Sequence, residues 1–61
     1  MRYKVYVSTE YGDHDTFYFD SKAQARTVFN MAMECKLFDY VSMSELVESE
    51  RLVDDWSIAD E

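Results

Sequence analysis

Proline is absent from this chain of 61 residues, and glycine, cysteine, histidine and tryptophan each occur once. A single cysteine cannot form a disulfide within the chain, and one cysteine with one histidine cannot supply a Cys/His zinc site. One glycine excludes the glycine-rich loops that hold nucleotide phosphates. Bases are also scarce, with six against thirteen acids, which argues against a protein that binds DNA or RNA through phosphates.

Apolar residues, by contrast, make up 48% of the chain and aromatic residues 16%. This content is too high for a disordered acidic tail, and the length allows one domain, residues 1–61, without a second core. No hydrophobic run is long enough for a secretion signal or a membrane span, so we expect a cytoplasmic protein without membrane contact. A domain this small, without disulfide or metal, usually gains stability by self-association, and we therefore expect a homodimer.

Residues 2–19 are expected to form a β-hairpin. Tyr3, Val5 and Val7 alternate with more polar residues, and the alternation resumes with Phe17 and Phe19. The polar segment between them carries the glycine of the chain, which suits a tight turn.

A helix is expected over residues 21–36. Ser21 and Gln24 match the capping box of a helix N-terminus. The apolar stripe that would face the hairpin consists of Ala25, Val28, Phe29, Ala32 and Cys35. We expect it to cover the hairpin face that carries Val5, Val7, Phe17 and Phe19, with Cys35 as a buried or half-buried structural thiol.

Residues 40–58 allow two interpretations. Alternation of Val41 and Met43 against Tyr40 and Ser42 favours a second hairpin with a turn around residues 49–50, whereas Ser42-x-x-Glu45 matches another capping box. We favour the hairpin. The predicted fold class is therefore α+β: a small antiparallel sheet with one helix on one face, in the order β-β-α-β-β, with β-β-α-α as the alternative. Residues 59–61 are expected to be a frayed tail.

No combination of residues predicts an enzyme, a metal site or a cofactor. His14 lies between Asp13 and Asp15 in the predicted turn, where neighbouring side chains diverge and stay solvated. Cys35 lies near a helix C-terminus, where the dipole disfavours a thiolate nucleophile. Asp54 and Asp55 are consecutive in a strand and face opposite ways, so they do not form a carboxylate pair.

Aromatic residues point instead to protein binding. The sheet face away from the helix is expected to carry Tyr6 and Tyr18, joined by Tyr40 and Trp56 from the second hairpin. Aromatic sheet faces stack bases in some RNA-binding domains, but the acidic excess disfavours direct nucleic-acid binding for this chain. Tyrosine and tryptophan are enriched in protein interfaces, so we predict these four residues as contacts for a protein partner.

The net charge of −7 comes entirely from residues 39–61, which hold eight acids and Arg51. We expect these acids to form an acidic surface that attracts a basic or nucleic-acid-binding protein, with Glu48, Glu50, Asp54 and Asp55 as its contact residues. In size and charge the chain resembles the small acidic inhibitors and adaptors that phages and mobile elements encode. Some of those proteins mimic DNA, so the resemblance implies DNA mimicry as the alternative function. Duplex DNA of strand length carries roughly 13–14 charges, more than eight acids can match.

Overall fold

Four strands and one helix follow one another in the predicted order. The computed structural model describes residues 2–58. Its elements are β1 (Tyr3–Ser8), β2 (His14–Phe19), α1 (Lys22–Cys35), β3 (Tyr40–Leu46) and β4 (Glu50–Ser57). The α+β class and the order β-β-α-β-β are therefore confirmed, and the alternative with a second helix is wrong. The predicted frayed tail at residues 59–61 lies outside the described residues.

The strands form one antiparallel sheet in the spatial order β2-β1-β3-β4. The two central strands, β1 and β3, come from different hairpins, so α1 carries the chain from the β2 edge to the middle of the sheet. Gly12, at φ 90°, allows the tight turn between β1 and β2, which the Thr9 N–H closes on the Asp13 carbonyl at 2.8 Å.

Both ends of α1 are capped. At the start, the Ser21 hydroxyl accepts a hydrogen bond from the Gln24 N–H at 3.3 Å, as the capping pattern predicts. At the end, Lys36 adopts the left-handed conformation, with φ 60°. That conformation turns the chain away from the helix axis, and a lysine adopts it at a cost that glycine would avoid.

The core lies between α1 and the two central strands. Ala25, Phe29 and Ala32 of the helix are buried against alternate residues of β1 and β3, which are Val5, Val7, Val41 and Met43. These strand residues pair directly across the ladder, Val5 with Met43 and Val7 with Val41. The helical period of about 3.6 residues and the strand period of two thus place the apolar side chains of α1 and of the two strands on surfaces that face each other.

Two expectations about the helix stripe are wrong. Cys35 is exposed rather than buried or half-buried, at the last residue of α1 on the side that faces Phe17 and Phe38. Phe17 remains 41% exposed, since α1 lies over β1 and β3 and covers the outer strand β2 only in part.

A β-bulge in β4 shifts the register of the second hairpin. Leu52 pairs with Ser44, but the next pair joins Asp54 to Met43, so Val53 is the extra residue. The alternation predicts a turn around residues 49–50, whereas β4 already begins at Glu50. A one-residue slip exchanges the two faces of a strand, so the bulge decides which residues beyond it face the helix.

Candidate functional site

The candidate site is the sheet face that carries no helix, which we call the open face. The ladder places alternate residues of each strand there. Its residues are Lys4, Tyr6 and Ser8 of β1, His14, Thr16 and Tyr18 of β2, Tyr40, Ser42, Ser44 and Leu46 of β3, and Glu50, Leu52, Asp55 and Ser57 of β4.

An aromatic cluster occupies one end of the open face. The Tyr6 ring lies between His14 and Tyr40, with ring centroids 6.1 Å apart in each case. His14 and Tyr40 are the diagonal neighbours of Tyr6 on the two flanking strands, at the distance from which large side chains touch across a sheet. The cluster gives this end of the face a broad aromatic surface with polar tips.

At the other end of the open face, two large exposed side chains flank an ion pair. Tyr18, Lys4, Ser44 and Leu52 stand in one row across the four strands. The outer two are large and about half exposed, at 51% for Tyr18 and 55% for Leu52. Between them Ser44 is buried, and the Lys4 side chain reaches across β3 to Glu50. A partner surface would therefore meet large side chains at both margins and a paired charge between them.

Charge on the open face is nearly balanced. Lys4 donates a hydrogen bond to Glu50 across β3, and Asp55 is the third charged residue among the strand positions of this face. The face thus carries a small part of the chain's net charge of −7. Sparse charge between aromatic side chains is the composition of interface cores rather than of phosphate-binding surfaces.

Trp56 does not lie on the open face, and that prediction is wrong. In a regular hairpin it would pair with Tyr40, but the bulge at Val53 moves it opposite Val41, where it packs against the core beside the helix. The aromatic contact set on the open face is therefore Tyr6, Tyr18 and Tyr40, with His14 added.

The bulge also moves Asp54 to the helix side. There its carboxylate accepts a hydrogen bond from the Arg26 guanidinium of α1 at 2.8 Å. This bond is the main cause that holds the pKa of the Asp54 carboxyl below its ordinary value. Asp54 joins β4 to the helix, and its neighbour Asp55 faces the opposite way, as alternation predicts.

The four acids predicted to act together do not share one surface. Glu48 lies in the turn between β3 and β4, Glu50 and Asp55 are on the open face, and Asp54 faces the helix. Two of them, Glu50 and Asp54, are engaged in ion pairs. The four predicted contact residues are therefore divided among the turn and the two sides of the sheet, and the acids Asp60 and Glu61 lie outside the described residues.

Both outer strands carry an aspartate that caps the sheet edge. The Thr9 N–H donates to the Asp13 carbonyl, so the backbone N–H groups of odd-numbered β2 residues point inward, toward β1. The N–H of Thr16, an even-numbered residue, therefore points outward, away from the sheet. The Asp15 carboxylate accepts it at 2.9 Å. On β4 the Asp54 carboxylate accepts the N–H of Asp55, also at 2.9 Å.

Sequence reasoning misses His14 and Leu52 as members of the site. The flanking aspartates suggest a solvated turn for His14, yet it is the first residue of β2 and stacks on Tyr6. Counting back by twos from Tyr18 through Thr16 places it on the same face. Leu52 has no assigned face in the sequence pattern, because its side depends on the turn.

Among residues 2–58, no three His, Cys, Asp or Glu side chains are grouped to hold a metal ion. In the same range, no helix is long and apolar enough to cross a bilayer. A comparison with protein-family models, curated proteins and solved structures found no match to this chain.

Proposed function

We propose that this protein is a non-enzymatic interaction module that forms a homodimer through its open face. The observation that carries the proposal is the open face itself: a nearly neutral, aromatic surface on a chain with a net charge of −7. An antiparallel sheet with one uncovered face exposes either polar residues or an interface, and Tyr18 and Leu52 are too apolar for the first.

A second copy is the occupant that suits this face best. The charges on it have both signs, since Lys4 and Glu50 stand beside Asp55, so two copies related by a twofold axis can offset each other's charge. Edge-to-edge pairing is opposed because Asp15 and Asp54 already accept outward N–H groups. Association is therefore expected face to face.

The size of the face sets the expected affinity. Four strands about 4.8 Å apart and seven residues long, at about 3.3 Å per residue, give roughly 400 Å² of projected area per copy. Two copies would bury about 800 Å² in total, which is less than the roughly 1,000 Å² of a stable specific interface. We therefore expect a weak dimer that forms at hundreds of micromolar, on the order of a transient encounter.

Sedimentation velocity between about 10 μM and about 1 mM tests the dimer. The double variant Tyr18→Ser with Leu52→Ser should remain monomeric, because it removes the two large exposed side chains at this end of the open face. The matched control is Tyr11→Ser with Val47→Ser, which removes two exposed apolar side chains away from this face. A wild-type monomer throughout the range would contradict the proposal, as would equal weakening by both pairs of substitutions.

The dimer would leave the acidic turn at Glu48 exposed for a basic partner protein, in the role of an inhibitor or adaptor. DNA mimicry has less support, because the acids are divided between the two sides of the sheet and two are paired with bases. Two substitutions distinguish the functions: an adaptor that binds its basic partner at this turn loses affinity in Glu48→Gln but keeps it in Asp55→Asn, whereas a charge mimic loses affinity in both.

A further inference from the structure

A second apolar surface lies on the other side of the sheet, between β2 and α1. Its walls and floor are formed by Val7, Phe17, Val28, Met31, Ala32 and Phe38. Phe17 is 41% exposed and Met31 63% exposed, so two large apolar side chains face solvent across this groove. Val28 continues it toward Phe19 and Ala23.

The two flanks of α1 differ in how they are closed. On the β4 flank, Arg26 reaches Asp54, and Trp56 and Val53 pack against the core. On the β2 flank the groove is lined mainly by apolar side chains, with Gln24 and Thr27 near its end at Ala23, and Phe17 stays partly uncovered. The helix is thus closed on its β4 flank and open on its β2 flank, so the groove does not reflect loose packing of the whole helix.

Carboxylates stand at one end of the groove. Next to Val7 and Phe38, the surface continues to Asp13 and Asp15 at the start of β2. The groove therefore combines an apolar length with a negative end, on a chain whose net charge is −7. Its complement is a segment with apolar side chains followed by a lysine or arginine.

We propose that the β2–α1 groove binds an amphipathic basic helix of a partner protein. A strand is the poorer occupant, because the outward N–H of Thr16 at the adjacent edge is already accepted by Asp15. The groove follows α1 from Ala23 to Cys35, about 18 Å at 1.5 Å per residue, which three turns of a bound helix would match. This site is on the opposite side of the sheet from the open face, so it stands or falls independently of the dimer.

Cys35 offers a direct test, because it is the one cysteine in the chain and lines the groove. The probe is a peptide of about 14 residues with leucines at positions i, i+4 and i+7 and two lysines one turn beyond. A bound peptide should cover the Cys35 thiol and slow its reaction with a small disulfide reagent. At saturation the rate should fall at least about tenfold, because one-tenth or less of the protein molecules are then free of peptide. Fluorescence anisotropy of the labelled peptide gives the affinity separately.

Two substitutions on the protein locate the site. Met31→Gln should weaken peptide binding at least about tenfold, which corresponds to losing one buried apolar contact. The matched control Val47→Gln changes an equally exposed side chain, at 65% against 63% for Met31, and should leave binding unchanged. Asp13→Asn should weaken binding of the lysine peptide, whereas Glu48→Gln, with the same change of charge, should not.

Three outcomes would overturn the proposal. The first is no anisotropy change and no thiol protection up to about 1 mM peptide, a limit weaker than most specific recognition. The second is equal binding of a peptide whose lysines are replaced by glutamate, because the negative end would then have no role. The third is loss of self-association in Met31→Gln, which would assign the groove to a second copy of this chain.

Discussion

The sheet has a covered face, which lies under α1, and the open face, which carries no helix. Consecutive residues of one strand lie on different faces and differ in their surroundings. On β3, Val41 and Met43 are fully buried under α1, while Ser42 and Ser44 are buried in the opposite surface between larger side chains. The covered face holds the apolar layer that drives folding, and the open face holds aromatic and small polar side chains. Alternation along a strand thus places the apolar core layer on one face and the aromatic and polar side chains on the other.

The largest effect should come from truncating the helix side of the covered face. Phe29→Ala removes a buried aromatic ring and should lower the free energy of unfolding by about 3–5 kcal/mol. A domain of this length has on the order of 3–9 kcal/mol in total, so a large unfolded fraction is expected. Urea titration followed by circular dichroism measures the loss. Phe29→Leu is the control that keeps the apolar contact, and an equal loss there would mean that the site does not tolerate any change of shape.

Two adjacent residues of β3 sharpen the comparison between the faces. Val41→Ala should cost about 2 kcal/mol, because it removes two methyl groups from the covered layer. Ser42→Ala should change the free energy of unfolding by less than about 0.5 kcal/mol, since it removes no apolar contact. Equal costs in urea titrations would show that both faces contribute alike to stability.

A smaller, pH-dependent effect should come from Arg26→Met. The pair with Asp54 is partly exposed, so its loss should cost about 0.5–1 kcal/mol at pH 7. Because the pKa of Asp54 is lower when folded than its unfolded value of roughly 3.9, the contribution is complete above that value and is lost as pH falls through the folded pKa. Wild type and variant should therefore converge as the pH falls below the folded pKa of Asp54.

Lys22→Met is the control for that experiment, since it removes a base from the same helix without touching Asp54. Its stability should run parallel to that of the wild type between pH 7 and pH 3. A difference between Arg26→Met and wild type that persists at low pH would mean that Arg26 acts through its contact with the Phe29 ring, 5.5 Å away, rather than through Asp54.

The smallest effect should come from Lys36→Gly at the end of α1. Glycine adopts the left-handed conformation without the crowding of a Cβ, so the substitution should raise the free energy of unfolding by about 0.5 kcal/mol. Thermal unfolding measures the change, with Asn30→Gly as the destabilising control at an exposed position inside the helix. A loss of stability in Lys36→Gly would show that the lysine side chain makes a contact worth more than the relief of strain.

Most of the fold could be predicted because its patterns are local. The alternation in residues 3–7 and 15–19, and the capping pair of Ser21 with Gln24, depend on residues a few positions apart. The order of the strands in the sheet, with β1 and β3 in the middle, depends on contacts between distant segments, and no local pattern predicts it.

The candidate site was predictable only as far as the strands are regular. Tyr6, Tyr18 and Tyr40 precede any irregularity and lie on the predicted face. Trp56 follows the bulge, so counting by twos assigns it to the wrong side. A signal was present: Val53 and Trp56 are both apolar and three residues apart, so a regular strand cannot turn both toward the core, as the bulged one does.

The central position of β1 has a consequence for the order of folding. The hairpin of β1 and β2 is local in sequence, but the second neighbour of β1 is β3, which ends at Leu46, so the ladder is incomplete until β3 docks. Until then, Val5 and Val7 lie beside an edge with unpaired backbone groups, which can pair with another unfolded chain. The step before β3 docks is therefore the stage of folding at which this protein is most exposed to misassembly.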